Sequence, residues 1–178
     1  MKEPVDSALQ NRLKRGDPAA FGELYDQYHL SLYRYILMRV GNQQVAEDLT
    51  GEVFTRSLVA LPGQSLQNVR AWLYQVARRL VIDHYRGREQ TLPLEMLTDT
   101  PLSEDLDTLA LEQQLTFEQV QQALTNLEET QRDVIILRFI SGLSLKEVAR
   151  ILGSSVVSVK ALQYRGLTRL RQALRVIE

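Results

Sequence analysis

Apolar residues recur at three- and four-residue steps along most of the chain, the spacing of the buried face of an α-helix. The first stripe follows Asp17-Pro18, where an N-cap acceptor precedes a proline that suits the first helical position. Its members are Phe21, Leu24, Tyr25, Tyr28, Leu32 and Ile36. Gly41-Asn42 is predicted to end this helix and to cap the next one.

Two more predicted helices complete an N-terminal bundle of three or four helices. The second has Val45, Leu49, Val53 and Leu58 inward, and the opposite face holds Asp48, Glu52 and Thr55. Residues 61–65, Leu-Pro-Gly-Gln-Ser, break the pattern. The third helix runs from about Val69 to Arg86, with Val69, Leu73, Val76 and Leu80 inward.

A segment without helical period separates this bundle from a second helical region. Residues 87–112 contain Gly87, Pro93 and Pro101 and predict a linker with at most short helical turns. The 3.6-residue period returns at Leu115, and strand-like alternation is absent from the sequence. We therefore expect an all-α protein with a domain at 1–88, a flexible linker at 89–114 and a helix-turn-helix domain at 115–178.

Charge is distributed unevenly along the chain, although the net charge is only −1. Residues 1–88 carry 12 basic and 9 acidic groups, and residues 120–178 carry 9 basic and 5 acidic groups. Residues 89–119 carry eight acidic groups and no Lys or Arg. The predicted linker is therefore acidic and lies between two basic domains, either as a solvated tether or as a functional strand that could also shield the basic faces.

Catalysis, a bound metal and a cofactor are not predicted. Cysteine is absent, and the two histidines, His29 and His84, fall in different predicted helices without metal-ligand spacing. The sequence contains no phosphate-binding glycine loop or nucleophile motif. The polar N-terminal segment has no apolar signal core, so we expect a cytoplasmic protein. Since no catalytic motif is present in the sequence, we also expect no small-molecule substrate.

The C-terminal region has the sequence pattern of a helix-turn-helix. Ser144 and Glu147 have the spacing of a capping box at the first helix. Ala149 is small where two crossing helices touch, Gly153 can form the left-handed turn, and Ser155 can cap the second helix. Together these positions favour a DNA-binding unit over an ordinary helical pair with a solvated basic face.

The second helix of this unit is predicted to enter a DNA major groove. Residues 156–175 include five cations and no acid, which suits contact with phosphates. Positions near its N-terminal half would reach base edges, and later arginines would reach phosphates. The candidate DNA-binding residues are Ser155, Val157, Ser158, Lys160, Ala161, Tyr164, Arg165 and Arg169.

Residues 68–88 form a second candidate site for nucleic acid, with five cations against one acid and interleaved aromatic residues. Exposed bases can stack on aromatic or guanidinium planes while cations hold the backbone, so the composition suits single-stranded or melting DNA. Tyr74, Arg78 and Tyr85 are predicted to lie together opposite the apolar stripe. Trp72 is either part of this surface or part of the core beside Val69.

These motifs resemble the bacterial sigma factors of the extracytoplasmic-function group, from Asp17 to Leu174. The segments 20–25 and 46–54 resemble the first sigma domain, 71–74 and 82–86 the minus-ten segment, and 127–174 the minus-thirty-five domain. By resemblance, Asp48, Glu52 and Arg56 contact core polymerase, and the implied polymerase surfaces are the β′ clamp and the β flap. The minus-ten residues implied are Asn68, Trp72, Tyr74, Arg78, Arg79, Tyr85 and Arg86, beside a loop at 61–68 that forms a pocket for a flipped base.

The resemblance also implies partners and identifies departures from the family pattern. The implied partners are core polymerase, promoter DNA and an anti-sigma factor, which is often tethered to the membrane. Many members have Asn in place of Arg79, Gln in place of Gly51, and a basic-aliphatic pair in place of Leu162-Gln163. The alternative function is a stand-alone helix-turn-helix regulator, which would bind duplex DNA without polymerase.

Overall fold

The computed structural model describes residues 7–91 and 108–177. Both ranges are built from helices and turns, and neither contains a strand, which confirms the all-α prediction. The helices are α1 (Ser7–Lys14), α2 (Pro18–Val40), α3 (Gln43–Ala60), α4 (Val69–Thr91), α5 (Thr108–Thr125), α6 (Glu129–Ile135), α7 (Leu145–Leu152) and α8 (Val156–Ile177).

Contacts between helices divide the chain into two units, residues 1–100 and residues 101–178. The first unit contains α1 to α4, and the second contains α5 to α8. Helix α4 continues to Thr91 and α5 begins at Thr108, so helix occupies both ends of the segment predicted as a linker. The central acidic part of that segment lies outside the described residues.

The caps of the first unit agree with the sequence. The Asp17 carboxylate accepts a hydrogen bond from the Ala19 amide at 3.0 Å, and Pro18 is the first residue of α2. Gly41 ends that helix in the left-handed conformation, with a φ of 68°. Asn42 Oδ1 then accepts from the Val45 amide at 3.0 Å and starts α3. These local contacts fix where both helices begin and where α2 ends.

The core of the first unit is rich in tyrosine. Helices α2, α3 and α4 pack on one another, and α1 packs on α2. Tyr28, Tyr35 and Tyr74 are fully buried, and the rings of Tyr35 and Tyr74 meet edge to face with centroids 5.7 Å apart. Aromatic pairs in this arrangement add stability beyond their buried area. The α2–α4 contact is therefore built around a tyrosine pair.

Two residues that the spacing placed in the core are exposed instead. Tyr25 is 48% exposed and Leu58 is 55% exposed. Helix α3 buries a narrow strip of mostly small residues, Ala46, Thr50, Val53 and Ser57. The hydroxyls of Thr50 and Ser57 donate to carbonyls four residues earlier, so they enter the core with their polar groups satisfied. The spacing of large apolar residues in the sequence does not reveal such a strip, because two of its four members are polar.

The second unit is held by close contact between α6 and α8. Helix α6 runs into a π-helical segment, Ile136–Ile140, and α8 packs against α5, α6 and α7. A Cβ atom added to Gly166 would lie 3.0 Å from Cγ1 of Ile135. Glycine at this position thus lets the two helices approach.

We expect Gly166→Leu to destabilise the second unit by about 1–3 kcal/mol, the usual cost of overpacking a core contact. Thermal unfolding followed by circular dichroism measures it. Ala161→Leu is the matched control, because Ala161 is exposed on the same helix and such sites change stability by about 0.5 kcal/mol or less. Equal, small effects of both substitutions would contradict the close α6–α8 contact.

Candidate functional site

Helix α3 presents an acidic ridge on its exposed side. Asp48 is exposed, and its Oδ1 accepts a hydrogen bond from Gln44 Nε2 at 3.1 Å. Glu52 Oε1 and Arg56 Nε are 2.8 Å apart, with 44% and 46% of the two side chains exposed. The three residues predicted to bind polymerase therefore share one accessible surface. Val59, which was not predicted as a functional residue, is 82% exposed in the last turn of α3.

The outward ridge of α4 is formed by Trp72, Arg79 and Arg86. These residues are seven positions apart, close to two helical turns, so they fall on one line along the helix. Trp72 is half-buried, and Arg79 and Arg86 are exposed. This outward ridge places one aromatic and two guanidinium groups in a row, a composition that suits single-stranded nucleic acid.

The predicted grouping of Tyr74, Arg78 and Tyr85 on an exposed face is wrong. Tyr74 is fully buried against Tyr35, while Arg78 and Tyr85 are half-buried. The Tyr85 hydroxyl donates to the Arg39 carbonyl oxygen on α2 at 2.5 Å. The buried face of α4 is wider than the predicted stripe, and it includes position 74 because α2 packs against it.

Asn68 has a structural role at the start of α4. Its Oδ1 accepts a hydrogen bond from the Ala71 amide at 2.8 Å, the contact of an N-cap residue. The cap fixes where loop 61–68 ends and α4 begins. Asn68, predicted to bind DNA, therefore lies at the junction of the loop and the outward ridge.

Helix α1, which the apolar spacing did not predict, supports loop 61–68. Leu13 is 1% exposed and Leu61 is 2% exposed. The Gly63 amide donates to the Lys14 carbonyl oxygen at 2.7 Å. A small cleft of about 80 Å³ separates the loop from α1. The Leu9 and Leu13 pair was the available signal, but two apolar residues are too few to establish a helical period.

His84 adds no positive charge to α4 near pH 7. Burial, and then the nearby charge of Arg88, lower the pKa of His84 below its usual value of 6.5. Its imidazole is therefore mostly neutral at that pH, and the positive charge of this helix comes from its arginines.

The second unit contains the predicted helix-turn-helix. The Ser144 amide donates to Glu147 Oε2 at 2.8 Å, and the Glu147 amide donates to Ser144 Oγ at 3.2 Å, which confirms the capping box. Gly153 adopts the left-handed conformation with a φ of 59°. Ser155 Oγ accepts from the Ser158 amide at 3.1 Å and caps α8. The turn between α7 and α8 is thus fixed by contacts within a few residues.

The exposed face of α8 agrees with the prediction at most positions. Val157 and Tyr164 are 77% and 75% exposed, and the other exposed candidates are Ser155, Ser158, Lys160, Ala161 and Arg165. Arg169 is also exposed, with 49% of its side chain accessible, but its Nη1 lies 3.1 Å from Glu128 Oε1 and 3.3 Å from Gln131 Oε1. These contacts tie it to the start of α6.

Gln163 connects α8 to the π-helical segment. Its Oε1 accepts a hydrogen bond from Arg138 Nε at 3.1 Å, and Arg138 Nη1 also donates to the Leu143 carbonyl oxygen at 2.5 Å. The departure from the family pattern at Leu162-Gln163 therefore has an internal role at Gln163.

Two other kinds of site are absent from the described residues. Within residues 7–91 and 108–177, no three His, Cys, Asp or Glu side chains are grouped so that they could hold a metal ion. In the same ranges, no helix has the length and apolar character needed to cross a membrane.

Both units match known sigma-70 families. Residues 24–91 match the Sigma-70 region 2 family, which covers most of α2, α3 and α4. Residues 117–170 match the Sigma-70, region 4 family, which covers the helix-turn-helix and the helices before it. The two matches fall in the two units separately.

The relatives of the chain are sigma factors. The ECF RNA polymerase sigma factor BldN of Streptomyces coelicolor is 37% identical over 171 residues, covering 93% of this chain and 64% of BldN. SigX of Bacillus subtilis is 35% identical over 167 residues, covering 88% of this chain and 84% of SigX. SigW of Bacillus subtilis is 31% identical over 179 residues, covering 92% of this chain and 94% of SigW. The chain therefore spans less than two thirds of BldN but most of SigX and SigW.

Solved structures share the fold. CnrH, determined in complex with the cytosolic domain of CnrY, superposes with a TM-score of 0.75 at 23% identity, covering 96% of this chain and 97% of that one. RpoE of Bartonella quintana, determined in complex with the anti-sigma factor NepR, superposes with a TM-score of 0.68 at 22% identity. The match covers 89% of this chain and 98% of that one. The sigma factors are not a class of enzymes. With both region families matched and relatives above 30% identity over most of their length, this chain belongs to the extracytoplasmic-function sigma factors of RNA polymerase.

Proposed function

We propose that the chain starts transcription by docking on core polymerase through the acidic ridge of α3 and by contacting promoter DNA through two cationic helices. Asp48, Glu52 and Arg56 meet the β′ clamp, and the β flap is the other polymerase surface included in this docking. The functional domains are residues 1–88 and 115–178, joined by the acidic linker 89–114. The observation that carries this proposal is that α3 exposes an acidic ridge, whereas α4 and α8 each expose a cationic face.

The minus-ten contact is assigned to the outward ridge of α4 and to loop 61–68. Trp72 offers a ring for an unstacked base, and Arg79 and Arg86 neutralise the phosphates of the melted strand. Arg78 and Tyr85 border this surface, and Asn68 positions the loop. Tyr74 is excluded from the assignment because it is buried.

Binding assays with and without polymerase test the function. We expect the purified chain alone to bind promoter DNA weakly, and the chain with core polymerase to bind it tightly and specifically. A promoter with scrambled minus-ten and minus-thirty-five elements is the control. Tight, specific binding of an operator by the chain alone would identify a stand-alone regulator instead.

The α8 face gives a prediction about salt dependence. Replacing Lys160 or Arg165 by Met in the polymerase complex is expected to lower the slope of log affinity against log salt by about 1 each, because one phosphate contact is lost. Arg169→Met is expected to change the slope less, since Arg169 is paired with Glu128. Filter binding from low to high salt measures the slopes, and equal slopes for all four proteins would contradict the assignment.

We also propose that an anti-sigma protein controls this sigma factor in the cytoplasm, where polymerase acts. The support is that CnrH and RpoE were each determined with a partner, the cytosolic domain of CnrY and the anti-sigma factor NepR. This anti-sigma protein is either soluble or tethered to the membrane. It is expected to compete with core polymerase for this chain in a pull-down, and simultaneous binding of both would contradict the proposal.

A further inference from the structure

The centre of the exposed face of α8 is apolar, although the helix as a whole is cationic. Ala161 follows Val157 by four positions and Tyr164 follows it by seven, so the three residues fall on one line along the helix. Val157 and Tyr164 are 77% and 75% exposed, and Ala161 is also exposed. These three residues form the apolar line of α8, and they add nothing to the core of the second unit.

The apolar line points directly away from the second unit. Val159 and Gly166 are buried, and both lie on the side of α8 opposite Val157. Lys160 and Arg165 are exposed and flank the line, at about 60° to one side of Val157 and about 80° to the other. When the two cations contact phosphates at the walls of a major groove, the apolar line is the part of α8 that enters the groove most deeply.

Val157 lies in the part of a recognition helix that reaches base edges. It is the second residue of α8, next to the cap in which Ser155 Oγ accepts a hydrogen bond from the Ser158 amide at 3.1 Å. In helix-turn-helix proteins the N-terminal residues of the second helix contact bases. Ala161 lies one turn later on the same line. These two side chains are therefore placed to meet bases.

The chemistry of Val157 and Ala161 restricts which base they can read. Neither side chain has a hydrogen-bond donor or acceptor. Guanine, adenine and cytosine present only donors or acceptors in the major groove, and an apolar side chain against them would leave those groups without a partner. Thymine differs, because its 5-methyl group projects into the major groove. Contact between this methyl group and an apolar side chain removes apolar surface of both molecules from water.

We propose that Val157 and Ala161 select thymine in the minus-thirty-five element by contact with its 5-methyl group. The inference rests on the proposed contact of α8 with promoter DNA. Affinity comes from the cations that flank the apolar line, and base preference comes from the line itself. Selection from a library of random minus-thirty-five sequences by the polymerase complex is expected to enrich thymine on one strand or the other.

Replacing thymine by deoxyuridine tests this selection, because the change removes the 5-methyl group and keeps the base pair. In the complex of the native chain with core polymerase, deoxyuridine at a contacted thymine of the selected promoter is expected to weaken binding about fourfold, the effect of one lost methyl contact. With Val157→Ala, the effect at one of these thymines is expected to fall below about twofold, since the valine methyl groups are gone. Filter binding at one fixed salt concentration measures the affinities.

Leu30→Ala is the matched control variant. Leu30 is 44% exposed on α2 of the first unit, so its loss is expected to leave the sensitivity to deoxyuridine unchanged. Deoxyuridine between the two promoter elements is the control for the DNA. Three results would each overturn the inference: no enrichment of thymine, no effect of deoxyuridine within the element, or native sensitivity of Val157→Ala at every thymine.

A scrambled minus-thirty-five element separates this inference from the proposed contact of α8 with the promoter. If scrambling leaves the affinity of the native complex unchanged, α8 does not read the promoter, and both proposals fail. If scrambling weakens binding but deoxyuridine does not, only the selection of thymine is wrong. Melting curves followed by circular dichroism verify that Val157→Ala is folded, as expected for an exposed position.

Discussion

A chain with Asp48→Lys and Glu52→Lys is expected to lose binding to core polymerase by at least about a hundredfold, since opposed like charges and broken ion pairs at an interface cost several kcal/mol. Both residues lie on the accessible ridge of α3. The folded state is expected to persist, because neither side chain belongs to the core and exposed ion pairs contribute little to stability. Fluorescence anisotropy with labelled chain and purified core measures the affinity.

The control for charge reversal is Asp26→Lys with Asp83→Lys, two exposed acids on α2 and α4. This pair changes the net charge by the same amount but leaves α3 intact, so binding to core is expected to fall by much less. Equal losses for both double variants would mean that net charge, and not the acidic ridge, governs association. Circular dichroism melting curves of both proteins verify that each is folded.

Tyr74→Ala is expected to lower the free energy of unfolding of the first unit by about 3–5 kcal/mol, as for other large core aromatics. The substitution removes a fully buried ring and the Tyr35 contact, and it leaves a cavity between α2 and α4. Because small domains are stable by only about 5–15 kcal/mol, much of the unit's stability would be lost. Urea unfolding followed by circular dichroism measures the change.

Trp72→Ala provides the contrast to Tyr74→Ala. Trp72 is only half-buried, so we expect a smaller loss of stability together with reduced transcription from a duplex promoter. A pre-melted promoter is expected to restore part of that transcription, because the strands no longer need to be opened. If Tyr74→Ala instead kept its stability and lost only promoter opening, the buried position of Tyr74 would be wrong.

Helix boundaries in this chain could be predicted because their signals act locally. Asp17, Asn42, Ser144 and Ser155 each accept a backbone hydrogen bond from an amide two or three residues later. Such contacts depend on residue type and spacing alone. The same is true of the left-handed turn at Gly153. The helix-turn-helix and its exposed face were therefore predictable.

Features that depend on distant partners could not be predicted from the spacing. Tyr74 is buried because α2 packs against that side of α4, and Leu58 is exposed because the buried strip of α3 is formed by smaller residues. Arg169 is paired with Glu128, 41 residues earlier in the chain. A helical period gives the direction in which a side chain projects from the helix axis. It does not show how much of the helix surface a neighbouring helix covers.

The turn between α7 and α8 is fixed by the left-handed Gly153 and by Ser155 Oγ, which accepts a hydrogen bond from the backbone amide of Ser158, so the outward side chains of α8 take no part in these contacts. Substitutions at Val157, Lys160, Ala161 and Tyr164 can therefore accumulate without unfolding the unit, since these side chains are exposed. With the α8 face contacting promoter DNA as proposed, promoter preference can drift during evolution while the scaffold stays constant. Duplicated copies of such a gene could acquire separate sets of target promoters through a few surface changes on one helix.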